Sequence, residues 1–266
     1  MSIDKNILLV AKKLGLHEWQ VENTIRLMDG GATIPFISRY RKEMTGSLDE
    51  VKLMHIKEEY ERLKGLDSRK EAVIKSIEEQ EKMAPELRQK IDFAVTMADL
   101  EDIYLPYRPK RRTRATIAKE KGLEPLALII MEQKLDDPVL KAEEFLNDDV
   151  TTVEEAISGA SDIIAEWISE DEKARKQLRY LFDKEAVIYS KVVKGKEAEG
   201  IKFSDYYNWS EPLKKCPSHR LLAMRRGEEE SFLRLSIEPD EDNALDMLTS
   251  IFLKGRNGSS DIVESA

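Results

Sequence analysis

The run from Leu100 to Leu126, LEDIYLPYRPKRRTRATIAKEKGLEPL, decides where the helical chain is interrupted and where its positive charge is gathered. Pro106 and Pro109 bracket Tyr107 and Arg108. Proline lacks an amide proton and turns the residue before it away from helical backbone, so no continuous helix passes through this run. The arginines are therefore expected to start on a braced, extended connection that presents guanidinium groups to solvent. From Tyr107 to Lys121 there are seven Lys or Arg residues and one acid, a local charge of +6 in a chain of net charge -9. A basic block on an otherwise acidic body predicts one local site for a polyanion. Arg108, Lys110, Arg111, Arg112 and Arg114 are the candidates, with Lys214, Lys215, Arg220, Arg225 and Arg226 as a weaker second patch. The alternative is that these cations bridge acidic helices of the same protein, since the planar guanidinium fork pairs equally with carboxylate and phosphate.

Upstream of the run, the spacing of apolar residues predicts helices. Ile3, Ile7, Val10 and Leu14 share one stripe, Gly15 breaks it, and Trp19, Val21, Ile25 and Met28 form a second before Gly30 and Gly31. This helical hairpin has nearly balanced charge and no basic second helix, so packing is favoured over DNA reading. TIPFISRYR, residues 33–41, opens with an N-cap candidate and a proline, then spaces Phe36, Ile37 and Tyr40 on helical intervals. Its Arg39, Arg41 and Lys42 complement the negative end of the helix dipole, with phosphate binding as the other reading. Ser47 and Glu50 fit a capping box for a helix through Leu63 that pairs as an antiparallel hairpin with a helix over 68–81. Pro85 starts a further helix expected to continue to the residues before Pro106.

Downstream, a single helical turn over 116–121 is closed by Gly122, and Pro125 opens an apolar helix. Turns over the acidic stretch 136–149 lead to an amphipathic helix over 152–168 and a charged one from Asp171 to about Phe182. From Ala186 the residues become β-branched, and both AVIYSKVV and FLRLSIEP read as extended. Phe203, Tyr206, Tyr207 and Trp209 cluster between them; packing is favoured over a base-stacking platform. The expected fold class is mainly α, a multi-helical N-terminal region with helical hairpins and a little β or extended structure after about residue 185. The expected organisation is a helical domain over 1–185 and a mixed segment over 186–266.

Composition and motifs narrow the function. Charged residues make up 36% of the chain and aromatics 7%, a balance suited to solvated helices. No apolar run approaches the roughly 20 residues of a membrane span, so the expectation is a cytoplasmic protein without a membrane partner. The single Cys216 excludes an internal disulfide, and His17, His55 and His219 lack metal-ligand spacing. There is no phosphate-binding glycine loop and no nucleophile elbow, so no cofactor, metal site or catalytic residue is assigned and the chain is not read as an enzyme. Asp99, Glu101 and Asp102 are expected to orient the nearby arginines by ion pairs. Their other reading, magnesium ligands of a nuclease, is kept as an alternative.

Three ordered runs carry a resemblance: GATIPFISRYRKEMTGSLDE at 31–50, LEDIYLPYRPKRRTRATIAKEKGLEPLA at 100–127 and SEPLKKCPSHRLLAMRRGEEESFLRL at 210–235. Together they resemble the Tex family, bacterial transcription accessory proteins that are similar to the core of the eukaryotic elongation factor Spt6. The resemblance implies a nucleic-acid-binding protein linked to transcription, with RNA or DNA bound without sequence specificity and RNA polymerase or other transcription machinery as a partner. Family members are longer, continuing into an RNase H-like (YqgF) domain, helix-hairpin-helix motifs and an S1 RNA-binding domain. The chain is accordingly expected to be the N-terminal part, contributing auxiliary phosphate-backbone contacts and scaffolding; a protein-docking scaffold with no nucleic-acid contact of its own is the alternative.

Overall fold

The computed structural model describes residues 4–109 and 111–266, which fall into two compact units, one ending at Tyr107 and one running from Arg108 to Ala266. The chain is mainly α, with a single three-stranded sheet among the described residues. No helix among them is long and apolar enough to cross a membrane.

The first unit contains α1 (Lys5–Leu14), α2 (Glu18–Asp29), α3 (Ile34–Tyr40), α4 (Lys42–Thr45), α5 (Glu50–Glu78), α6 (Pro85–Phe93) and α7 (Met97–Tyr104). Asp4 caps α1 by accepting from the Asn6 amide, and Gly15 ends it with a φ of 64°, which a residue without Cβ adopts at low cost. Val10, Val21, Ile37, Leu53 and Ile56 are fully buried where α1, α2 and α3 pack on the first half of α5. A second core, with Leu66, Val73, Ile77, Ile91 and Leu100, forms where α6 and α7 meet its second half.

Three local expectations are corrected here. The two helices foreseen over 50–63 and 68–81 are one 29-residue helix, α5, about 43 Å long at the standard rise. The exposed Gly65 and Ser68 weaken the helix but supply no turn, while Leu63 and Leu66 tie it to successive cores. The Ser47–Glu50 capping box is absent: Gly46 and Ser47 both take positive φ to leave α4, and Asp49 caps α5 by accepting from the Lys52 amide at 2.8 Å. The helix foreseen from Pro85 to Tyr104 is divided into α6 and α7. Ala94 leaves helical backbone at ψ 124°, and the Thr96 hydroxyl accepts from the Asp99 amide at 3.1 Å, restarting the helix.

The second unit contains α8 (Arg114–Glu120), α9 (Glu124–Glu132), α10 (Pro138–Ala142), α11 (Val153–Glu170) and α12 (Glu172–Glu185) before any strand. Then come β1 (Val187–Val192), β2 (Asn208–Pro212), α13 (Ser218–Glu229), β3 (Leu233–Glu238), α14 (Glu241–Phe252) and α15 (Gly258–Ser265). Leu123, Leu126 and Ile130 interlock with Ala156, Ala160, Ile163 and Ile164 of α11, closed by Val263 of α15. α10 was not foreseen; Asp137 caps it within the acidic stretch. Gln133 ends α9 at φ 57° and its side chain donates to the Phe252 carbonyl and accepts from the Lys254 amide, both at 2.8 Å. Those bonds tie the end of α9 to the segment joining α14 and α15.

The switch to strand comes at Val187, near the expected position, and lies inside the second compact unit. The sheet has order β2-β1-β3, antiparallel throughout, with Ser190 opposite Trp209 on one side and Leu235 on the other. Ile188 and Ser190 point to the buried face, where Ser190 donates to the Tyr206 carbonyl at 2.7 Å. Phe203 is buried and its ring lies 6.0 Å from that of Phe232, so this aromatic packs as the sequence suggested.

Candidate nucleic-acid interface

The basic run is assembled around α8. Residues 105–107 form a 3-10 turn, 108, 109 and 111–113 have no regular structure, and Thr113 caps α8 by accepting from the Thr116 amide at 3.0 Å. Ala115 and Ala118 are small enough to seat the helix closely on α11, where a Cβ added to Gly159 would strike the Leu123 side chain and meet Ala118 at 3.3 Å. With that face buried, Arg114, Lys119 and Glu120 carry the charge of α8 beside the uncharged Thr116 and Ile117. Lys119 is held at 2.8 Å from Glu166 and both are substantially covered. Arg112 reaches Glu120 at 2.6 Å and Arg114 reaches Asp162 at 3.4 Å, yet their side chains remain 68% and 87% exposed. Arg108 and Arg111 are exposed and have no recorded ion pair among the described residues; Lys110 lies outside those residues. The run therefore contains both kinds of cation the sequence allowed, one built inward and several facing water.

A shallow cavity of about 410 Å³ borders this surface, with Arg114, Lys121, Glu154 and Asp162 on its rim and Ile117 and Leu123 in its wall. Glu154 and Asp162 of α11 thus sit beside Arg114 of α8. Exposed pairs of this type contribute up to about 1 kcal/mol and exchange readily with other anions. Of the carboxylates at 99, 101 and 102, Glu101 accepts from Arg69 of α5 at 2.6 Å, and Asp99 accepts from Thr96 at 2.6 Å.

The second patch is more committed. Arg220 pairs with Glu211 at 2.5 Å and lies 4.9 Å above the Trp209 ring. Burial pushes the Glu211 carboxyl up, but hydrogen bonds from Cys216 and Trp209 together with the Arg220 charge hold it below the usual carboxylate range. Burial, and then the bond to Glu211, raises the Cys216 thiol. Lys214 reaches Asp183 at 3.2 Å and Arg225 reaches Glu228. Lys215 and Arg226 are exposed. Arg220 works within the sheet's own packing, while Lys215 and Arg226 face solvent.

The sequence reading weighed phosphate binding by the basic residues of α3 but missed the exposure of its aromatics. Of Phe36, Ile37 and Tyr40, Ile37 is fully buried, whereas Phe36 and Tyr40 are 42% and 65% exposed. Their rings are 5.3 Å apart, and the Arg41 guanidinium lies 5.6 Å from the Phe36 centroid. The legible signal was the interleaving of aromatic and basic residues in PFISRYRK, residues 35–42, which a seven-residue helix cannot bury on every side.

Two family models match this chain, the Tex-like protein N-terminal domain over residues 4–78 and the Tex central region-like model over residues 133–257. The chain belongs to the Tex family. It is 43% identical over 235 residues to the transcriptional accessory protein Tex of Neisseria gonorrhoeae, covering 88% of this chain and 31% of that protein. It is also 43% identical over 254 residues to protein YdcI of Bacillus subtilis, covering 94% of this chain and 35% of that one. A more distant relative, the human S1 RNA-binding domain-containing protein 1, is 27% identical over 241 residues, or 86% of this chain and 24% of that protein. The chain spans about a third of the length of the bacterial relatives. The Tex N-terminal match lies wholly in the first compact unit and the central-region match wholly in the second, so the run 108–121 with its arginines falls between the matched spans.

Proposed function

We propose that this chain is the helical N-terminal part of a Tex-like cytoplasmic protein acting with nucleic acid in transcription, and that it supplies auxiliary, sequence-tolerant contacts to the phosphate backbone. The observation carrying this reading is the exposure of Arg108, Arg111, Arg112 and Arg114 at the start of α8 on an acidic chain. Phosphate contacts position a nucleic acid without reading bases, and nothing more specific is asked of these side chains. The names of the relatives, a transcriptional accessory protein and an S1 RNA-binding domain protein, agree with this assignment. No catalytic step is assigned to the chain in this reading.

A titration of the chain with fluorescent single-stranded RNA and duplex DNA tests it, at low and at physiological salt. Saturable binding that weakens with salt is expected. The double reversal Arg111→Glu with Arg112→Glu should lower affinity and flatten the salt dependence, each lost phosphate contact reducing the slope by about one. Unchanged affinity and slope would defeat the reading.

A specific feature favours a second role. The α6–α7 connection exposes Phe93 at 72%, Val95 at 68% and Met97 at 44%, an apolar projection suited to docking protein such as RNA polymerase or other transcription machinery. Loss of a co-purified polymerase on Phe93→Ser would support that role; retention would count against it.

A further inference from the structure

We infer that the cleft between the end of α2 and the start of α3 is a stacking site for an unpaired nucleobase of a single-stranded nucleic acid. This deepens the nucleic-acid reading and rests on it, but it uses the first compact unit and none of the arginines of α8. The cleft measures about 500 Å³ and is lined by Arg26, Gly30, Gly31, Thr33, Phe36 and Arg41, among others. That volume is within the range of pockets for small organic groups.

Its chemistry is selective. Phe36 offers an exposed ring, Tyr40 extends the aromatic surface one turn further along α3, and the Arg41 guanidinium sits over the Phe36 ring, 5.6 Å from its centroid. Bases stack on aromatic rings and on guanidinium planes alike, and stacking tolerates every base because each has a π face. Neither Arg26 nor Arg41 has a recorded ion pair with a carboxylate among the described residues; Arg26 donates only to the neutral Asn23 amide oxygen at 2.8 Å. Two guanidinium groups without a carboxylate partner among the described residues, lining the same cleft as an exposed ring, match a nucleotide, with its apolar faces and its phosphate. Arg39 is less available, since Glu50 lies 4.0 Å from it. The glycine pair keeps the cleft floor free of side chains: Gly31 has a φ of 85°, and a Cβ there would find open space. A duplex hides its base faces, so the cleft should discriminate single strands from duplexes.

The test titrates the chain with a short fluorescent single strand and with a duplex of the same length, for the unaltered chain and for Phe36→Leu and Tyr40→Leu. Both rings are exposed, so the leucine variants should melt with the unaltered chain; a melting curve checks this. The unaltered chain is expected to bind the single strand more tightly, and each leucine variant to bind it about tenfold more weakly with duplex affinity unchanged. A strand carrying 2-aminopurine should show quenching with the unaltered chain that the variants lose. Equal single-strand affinity in the variants, or an equal loss for duplex, overturns the stacking site. If the reversals at Arg111 and Arg112 still remove binding in that case, the phosphate-contact reading survives alone. Absence of binding to either probe at low salt overturns both, and leaves the α3 surface to a protein partner.

Discussion

Replacing Gly65 by alanine should stabilise the first compact unit, because Gly65 lies inside the unbroken helix α5 with nothing within 4 Å of the position its Cβ would occupy. An interior helical glycine costs about 0.5–1 kcal/mol relative to alanine, mostly in backbone entropy lost on folding. No clash opposes that gain here. For a unit of about 100 residues, such a gain raises the melting temperature by about 2–8 °C. Proline at the same position should act oppositely: it removes the hydrogen bond that the residue 65 amide donates to the Glu61 carbonyl and crowds that carbonyl, costing about 3 kcal/mol or more. The assay is thermal and urea unfolding followed by far-ultraviolet circular dichroism for the two variants beside the unaltered chain. A destabilised Gly65→Ala, or a Gly65→Pro as mild as the alanine variant, would refute the continuity of α5 and restore a turn at this position.

The same substitution at Gly159 should reverse sign. Its added methyl group collides with Leu123 and presses on Ala118, so Gly159→Ala is expected to lose about 1–3 kcal/mol in urea unfolding despite its better helix propensity. Glu59 gives a pH-dependent prediction: the hydrogen bond from Arg62, assisted by Lys13, outweighs burial and holds its carboxyl below the usual value of 4.5. A depressed folded value means that the charged pair stabilises fully above the unfolded value and loses its contribution as pH falls through the folded one. Glu59→Gln should therefore cost about 1 kcal/mol near pH 7 and progressively less as pH falls below the usual carboxylate value; a cost that stays constant through the acid range would rule out the ion pairs as its source.

Helix content and the order of elements were legible because the decisive signals were local. Thr151 and Thr152 with Glu154 and Glu155 marked the start of α11, Asp171 that of α12, and the β-branched run from Ala186 the change to strand at Val187. The join within α5 was not legible, since Gly65 and Ser68 resemble a turn unless one knows that Leu63 and Leu66 serve two separate cores on one helix. Likewise, Ser47 looked like a cap because the spacing to Glu50 was right, while the exit from α4 through two left-handed residues moved the start to Asp49. The basic run was visible as charge. Its division was not, because whether an arginine meets Asp162 or water depends on α11 lying beside α8, some fifty residues away in sequence. Phe36 and Tyr40 failed for the same reason: periodicity shows that residues share a face, and only the placement of neighbouring helices shows whether that face is covered.

The two proposed contacts to nucleic acid should carry different physical signatures. Phosphate pairing at Arg111 and its neighbours releases counterions, so its contribution falls steeply as salt rises. Stacking against Phe36 and Tyr40 removes flat apolar faces from water and depends far less on salt. Arg112 and Arg114 already lie close to Glu120 and Asp162, which compete with an incoming phosphate for the same forks. These pairs are solvent-exposed and individually weak, so exchange requires little reorganisation. An acidic chain using such cations holds a polyanion only loosely in salt, and the base-stacking surface is then the contact that persists and favours single strands over duplexes.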